Sequence, residues 1–180
     1  MASNLVQTSS KTCLALLLAM FMPSFLAHGQ SKETTSMSFY FHNLLGGPNA
    51  TIAPITGIPG RVWSLASFGT IYGVDNPVTE GLEGKSAAVG RAQGITANAA
   101  LDGSTSYVLL SIVFTNNEYN GSTIELQGVG RQVDAVREVA VVGGSGKFRY
   151  SKGYATFETA YFDVPTGSVV TRCNVTLLVN

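Results

Sequence analysis

Six polar side chains could line a small-molecule site: His42, Asp75, Arg91, Gln93, Lys152 and Tyr154. Each lies on or beside a run rich in β-branched and aromatic residues. A ligand pocket needs only a few placed polar groups among apolar walls. Each of the six could equally be a solvated surface group or a satisfied structural hydrogen bond. Arg91, within Gly90-Arg91-Ala92-Gln93-Gly94, could also be a bracket that ties a strand to its turn. Lys147 and Arg149 read as surface cations.

Sharper chemistries fail on spacing or on missing residues. Gly143-Gly144-Ser145-Gly146-Lys147 invites a phosphate-loop reading. That loop needs a glycine five residues before its Gly-Lys pair and a Ser or Thr after it. Val141 and Phe148 hold those places, so the stretch reads as a tight turn between strands, where glycine supplies positive φ. A Ser-His-Asp triad would have to use His42, and Gly144-Ser145-Gly146 is only a fragment of the nucleophile elbow. A zinc site lacks His and Cys ligands, and the scattered acids suggest neither a calcium site nor a glycosidase pair. No cofactor is expected.

The N-terminus explains part of this poverty. Lys11 precedes a short apolar run, Cys13 to Met22, broken by Pro23 and followed by Ala27-His28-Gly29. This pattern predicts a secretory signal peptide over residues 1–29, too short to anchor in a bilayer. Cleavage after Gly29 removes Lys11, Cys13 and His28, leaving His42 and Cys173 as sole histidine and cysteine. A lone cysteine in a strand-like run is expected to be buried. In a secreted chain Asn49-Ala50-Thr51, Asn120-Gly121-Ser122 and Asn174-Val175-Thr176 become glycosylation candidates at Asn49, Asn120 and Asn174. Asn174 qualifies only if it faces outward from its apolar run.

The elements that must hold the candidate residues are strands. The chain has 180 residues, of which 45% are hydrophobic and only 12% charged, with 20 glycines and a formal charge of zero. Such a balance gives no footprint for nucleic acid or an anionic membrane, and the length suits one domain. After a mobile tail over 30–36, eight strands are predicted: 37–44, 63–75, 85–96, 107–114, 122–130, 138–142, 154–162 and 169–179. Thr51 to Val62, with Pro54, Gly57, Pro59 and Gly60, reads as a long irregular loop or lid. Gly69 and Gly73 are possible bulge points, and Asn76-Pro77 should stop the second strand. Asn120-Gly121 signals a hairpin turn. The all-β pattern predicts an eight-stranded antiparallel barrel over 37–180, whose closure removes sheet edges and leaves room for one small ligand. A β-sandwich is the alternative.

Several stretches, in order along the chain, resemble the plant dirigent family. They are Phe39-Tyr40-Phe41-His42-Asn43, Gly46-Gly47-Pro48-Asn49, Phe68-Gly69-Thr70, Asp75-Asn76-Pro77-Val78-Thr79-Glu80-Gly81, Val89-Gly90-Arg91-Ala92-Gln93-Gly94, Tyr119-Asn120-Gly121-Ser122-Thr123, Val139 to Phe148, and Lys152-Gly153-Tyr154-Ala155. The resemblance implies an eight-stranded barrel, secretion to the apoplast or cell wall, and a homo-oligomer, dimer or trimer. It implies a protein without oxidising power of its own. A laccase or peroxidase would supply phenoxy radicals from monolignols such as coniferyl alcohol, and the barrel would hold two radicals so that one coupling face is favoured. The alternatives are a same-fold dehydratase resembling pterocarpan synthase, which closes rings through quinone methides, and a non-catalytic wall or defence protein.

Departures from the family pattern bear on the site. Lignan-forming members usually carry Asp where this chain has Asn43, Arg where it has Lys152, and an acid where it has Lys147. An amide cannot deliver a proton to a quinone methide. Asp75 is then the remaining candidate acid near a strand end, with His42, Asn43, Arg91, Gln93, Lys152 and Tyr154 as expected substrate contacts.

Overall fold

The computed structural model describes residues 33–178. The predicted signal peptide, its cleavage point and residues 30–32 of the predicted tail lie outside the described residues. Nine strands follow: β1 (Thr34–Leu44), β2 (Ile52–Thr56), β3 (Ile71–Thr79), β4 (Ala88–Asn98), β5 (Thr105–Phe114), β6 (Thr123–Arg131), β7 (Val136–Ser145), β8 (Gly153–Asp163) and β9 (Ser168–Leu178). All pairings are antiparallel, in the order β1-β9-β8-β7-β6-β5-β4-β3-β2. A further pairing of β1 with β3, Tyr40 with Thr79 and Phe41 with Val78, closes eight of these strands into a barrel. Closure decides against the sandwich.

β2 is the extra piece. It lies within the stretch expected to be an irregular loop, and pairs with β3 from Ile52–Val74 to Thr56–Ile71. β1 meets β3 only at Val78 and Thr79, so β2 occupies the part of that edge that β1 leaves open. Pro77 does not stop the strand. The Asp75 amide donates to Thr51 O on this edge, and amides two residues apart point the same way. Pro77 therefore falls in the gap between the β2 and β1 contacts, where no ladder hydrogen bond is lost.

Other expected boundaries also move. Thr34–Ser36, assigned to the tail, pair with Leu178, Leu177 and Thr176. Trp63 to Thr70 are not strand. The register shifts fall at Pro54/Thr56, Val78/Thr79, Glu125/Leu126 and Thr159/Tyr161, and neither Gly69 nor Gly73 makes a bulge. Gly143-Gly144-Ser145 ends β7, and a 3-10 turn at Gly146–Phe148 follows. Gly144 is required there, because a Cβ would sit 2.6 Å from Phe148 O and 2.5 Å from Thr123 O.

Strand alternation fills the interior. On β5, Ile112 and Phe114 point inward and are fully buried, whereas Leu109 on the opposite face is exposed. Cys173 is buried inside the barrel as a free thiol. One end is closed by aromatics: Phe114 meets Phe39, Tyr119 and Phe148 with ring centroids 5.7, 5.3 and 5.1 Å away. Burying one such side chain contributes about 1.5–3 kcal/mol. Lys147 is exposed and stands 5.6 Å over the Tyr119 ring.

Candidate functional site

The aromatic plug leaves the other end of the barrel hollow. A cavity of about 310 Å³ opens among the C-terminal ends of β1, β4 and β6 and the starts of β3, β5, β7 and β9. An inner recess of about 150 Å³ reaches toward Phe41, Val139 and Phe157 and shares Asn43, Thr96, Arg137 and Thr171 with it. Cavities that enclose small ligands run from about 300 to 1,000 Å³.

Two polar networks build the walls. In the first, Asn43 Nδ2 donates to Val169 O at 2.9 Å and to Thr171 Oγ1 at 3.1 Å. Asn76 Nδ2 donates to Asn43 Oδ1 at 2.6 Å, and Thr51 Oγ1 donates to Asn76 Oδ1 at 2.6 Å. Asn76 is buried, and this relay satisfies it. In the second, Gln132 Nε2 donates to Ser106 Oγ at 2.6 Å and Leu65 O at 3.0 Å. Ser106 Oγ donates to Asn98 Oδ1 at 3.0 Å, and Asn98 Nδ2 donates to Ser67 O at 3.1 Å. These bonds pin the segment before β3 over the cavity's rim.

Arg137 is the cavity's charge. It sits near the start of β7 on the face of Val139 and Val141. Among the described residues its Nη1 and Nη2 reach only Thr159 Oγ1, at 3.5 and 3.3 Å. Burial pushes its pKa down, yet a guanidinium remains charged near neutral pH. Among the described residues lining the cavity and its recess, none is Asp or Glu.

The expected site residues separate into three groups. Only Asn43 lines the cavity. Asp75, Arg91 and Gln93 cluster on the barrel's outer face: Arg91 Nε donates to Asp75 Oδ1, Arg91 Nη2 to Asp75 O at 2.6 Å, and Gln93 Nε2 to Asp75 Oδ1 at 3.0 Å. This is a bracket between β3 and β4. The hydrogen bond from Arg91 holds the Asp75 carboxyl below its ordinary value, so it is ionised and outside the cavity. His42 also points outward, with Nε2 2.8 Å from Thr79 Oγ1. Thr79 Oγ1 donates to Gly81 O at 2.7 Å, so His42 Nε2 is the donor in that pair. Burial lowers the His42 pKa and keeps the ring neutral.

Lys152 and Tyr154 border a separate surface depression with Val141, Val142 and Leu178. Ala155 and Phe157 are the inward residues of β8, so Tyr154 must face outward. Asn49 and Asn120 are exposed in turns, and Asn174 faces outward on β9, accepting from Ser38 Oγ at 2.8 Å.

The family model for dirigent-like protein matches residues 34–178, the whole described barrel. The chain belongs to the dirigent family. It is 34% identical over 146 residues to dirigent protein 23 of Arabidopsis thaliana, covering 81% of this chain and 78% of that protein. It is 32% identical over 147 residues to pterocarpan synthase 1 of Glycine max, covering 81% and 79%. The solved structure of the pterocarpan synthase dirigent protein PsPTS1 superimposes with a TM-score of 0.73 at 32% identity, covering 81% and 95%.

In this dirigent barrel, sequence reasoning missed Arg137, Asn76, Asn98, Ser106, Gln132, Thr159 and Thr171. For Arg137 a signal existed. The predicted strand began at Glu138; extending it by one residue puts Arg137 in phase with Val139 and Val141. The others carry no local signal, because uncharged polar residues on strands are common on either face.

Proposed function

We propose that the protein steers the stereochemistry of phenoxy-radical coupling, on radicals made by a separate oxidase from monolignols such as coniferyl alcohol. The observation that carries this reading is a cavity with an apolar recess, uncharged polar groups in its walls and one cation, but no lining carboxylate. Such a site can bind and orient a phenolic ring. It holds no carboxylic acid to drive a proton-transfer step. Orientation is what radical coupling needs, since the reactants arrive already activated. One ring occupies the recess between Phe41, Val139 and Phe157, and the second radical approaches from the open mouth, so that only one face of the first is presented. The reading includes secretion to the cell wall, glycans on Asn49, Asn120 and the outward-facing Asn174, and a homo-oligomer.

The test supplies a laccase and coniferyl alcohol and separates the dimeric products by chiral chromatography. The expected result is an enantiomeric excess that disappears when the protein is omitted. Racemic products with every monolignol tried would sink the reading.

A second reading, a ring-closing dehydratase, is favoured by the likeness to two pterocarpan synthases. It predicts consumption of an isoflavonoid alcohol with no oxidase present, so the same assay without laccase separates the two. The open cavity counts against a wall protein without a ligand.

A further inference from the structure

We infer that Leu65 closes the cavity mouth against the bound ring and so sets the ring size that the site accepts, and that Gln132 positions Leu65 for this. The inference rests on the reading of the cavity as the substrate site and goes beyond it by naming the pair of residues that confers size selectivity.

Leu65 stands where the cavity meets solvent. It lines the outer cavity but not the inner recess, and it is 49% exposed. Its neighbours Val62 and Trp63 are exposed as well. Apolar side chains left in water beside a cavity mark a surface that a ligand covers. The recess holds only about 150 Å³, about half of the smallest volume that encloses a small ligand. A ring seated there therefore extends outward, into the space that Leu65 caps.

Sheet pairing does not put Leu65 in this place, because residues 63–70 belong to no strand. Contacts from the barrel do. Ser67 N donates to Ser64 O at 3.0 Å and closes the turn. The buried Asn98 holds its two ends, with Nδ2 donating to Ser64 O at 3.3 Å and to Ser67 O at 3.1 Å. Gly103 lets the backbone of Ala66 come close, since a Cβ there would sit 2.4 Å from Ala66 O. The hydrogen bond to Leu65 itself comes from Gln132, whose Nε2 donates to Leu65 O at 3.0 Å. Gln132 directly follows β6, and its amide also donates to Ser106 Oγ at 2.6 Å and Asn98 Oδ1 at 3.2 Å. Three acceptors around one NH2 group fix the direction in which it points. Gln132 thus holds the tip of the turn, while Asn98 holds its base.

A neutral phenolic alcohol brings no charge by which the mouth could choose it, so shape must choose. Leu65 supplies that shape together with Leu45 and Val169, which line the same outer cavity.

The test is calorimetric titration, without oxidase, of two neutral alcohols that differ by one methoxy group on the ring, coniferyl alcohol and sinapyl alcohol. Leu65→Ala should shift the affinity ratio toward the bulkier sinapyl alcohol by at least about threefold, and Leu65→Phe should shift it the other way. Both should move Tm by less than about 2 °C, because the side chain is half exposed. Gln132→Ala should shift the ratio in the direction of Leu65→Ala, and should add nothing further in the Leu65→Ala background, because the two residues act as one unit. Gln132→Glu, which keeps the side-chain length but cannot donate to Leu65 O, serves if Gln132→Ala does not fold. An unchanged ratio in both Leu65 variants would overturn the inference. So would a Gln132 shift of equal size in both backgrounds, since Gln132 would then not act through Leu65. Failure of both alcohols to bind would sink the cavity reading and this inference with it. Size selectivity set by Leu65 alongside racemic coupling would sink the functional reading alone, and stereoselective coupling with unchanged ratios would sink this inference alone.

Discussion

Asn76 Nδ2 donates to Asn43 Oδ1 at 2.6 Å, and this bond joins β3 to β1 in the wall of the cavity. It fixes which way both amides point. The Asn43 NH2 group must then face Val169 O, which can only accept. Asn43 is thus a structural necessity here as well as a wall residue, because a carboxylate at that position would oppose a carbonyl oxygen.

Asn43→Asp should therefore destabilise the barrel by about 1–3 kcal/mol, the cost of an unmade buried hydrogen bond. For a domain of this size each kcal/mol moves Tm by about 2–4 °C. Thermal unfolding followed by circular dichroism reads this directly; an unchanged Tm would show that the amide relay carries no stability.

Arg137→Leu should separate stability from function. Removing a poorly paired, half-buried cation should hold or raise Tm. The same variant should lose enantiomeric excess in the oxidase-coupled assay. Retained selectivity would show that the guanidinium does not touch the substrate.

Two neighbouring glycines should behave oppositely. A Cβ on Gly143 meets nothing within 4 Å, whereas one on Gly144 collides with Thr123 O and Phe148 O. Gly143→Ala should express at normal yield with little change in Tm, and Gly144→Ala should fall by more than about 2 kcal/mol or fail to accumulate. Equal behaviour would contradict the bulged end of β7.

Asp75→Asn should leave product selectivity intact, since Asp75 lies outside the cavity. Arg91 depresses the folded-state pKa of Asp75 below its ordinary 3.8. The ion pair therefore stabilises the fold above that value, and the contribution is lost as pH falls through the lowered pKa. Both side chains are about half exposed, at 42% for Arg91 and 54% for Asp75, which limits the effect to under about 1 kcal/mol. Unfolding curves from neutral to acidic pH should show a weaker acid dependence in the variant than in the parent protein.

Cys173 should resist thiol reagents while the protein is folded, because burial pushes its pKa far up and removes it from solvent. Rapid labelling should appear only in denaturant. Labelling at equal rates in both conditions would place the thiol on the surface.

How far the sequence could be read differs between elements for physical reasons. The barrel was legible because alternating runs and turn residues recur along the chain. β2 was not, because Pro54 and the glycines around it carry loop chemistry, and only the open β3 edge makes Ile52–Thr56 a strand. The passage of β3 through Pro77 was hidden in the same way, since its tolerance depends on a gap between two other strands. Tyr154 was placed on the correct strand and the wrong face, and Lys152 lies just before β8, at the surface. Arg137 was lost by a boundary one residue short.

The sequence by itself determined the all-β fold class and the family, because periodicity and ordered motifs are local properties that survive without coordinates; the β1–β3 pairing then decided for the expected barrel over the sandwich. Only the tertiary structure decided the site. A strand alternates its side chains between two faces, so a one-residue uncertainty sends a candidate to solvent or to the cavity. Barrel closure then brings β1 and β7 to one cavity and sets Asn43 and Arg137 in its wall, with no lining acid to balance the cation.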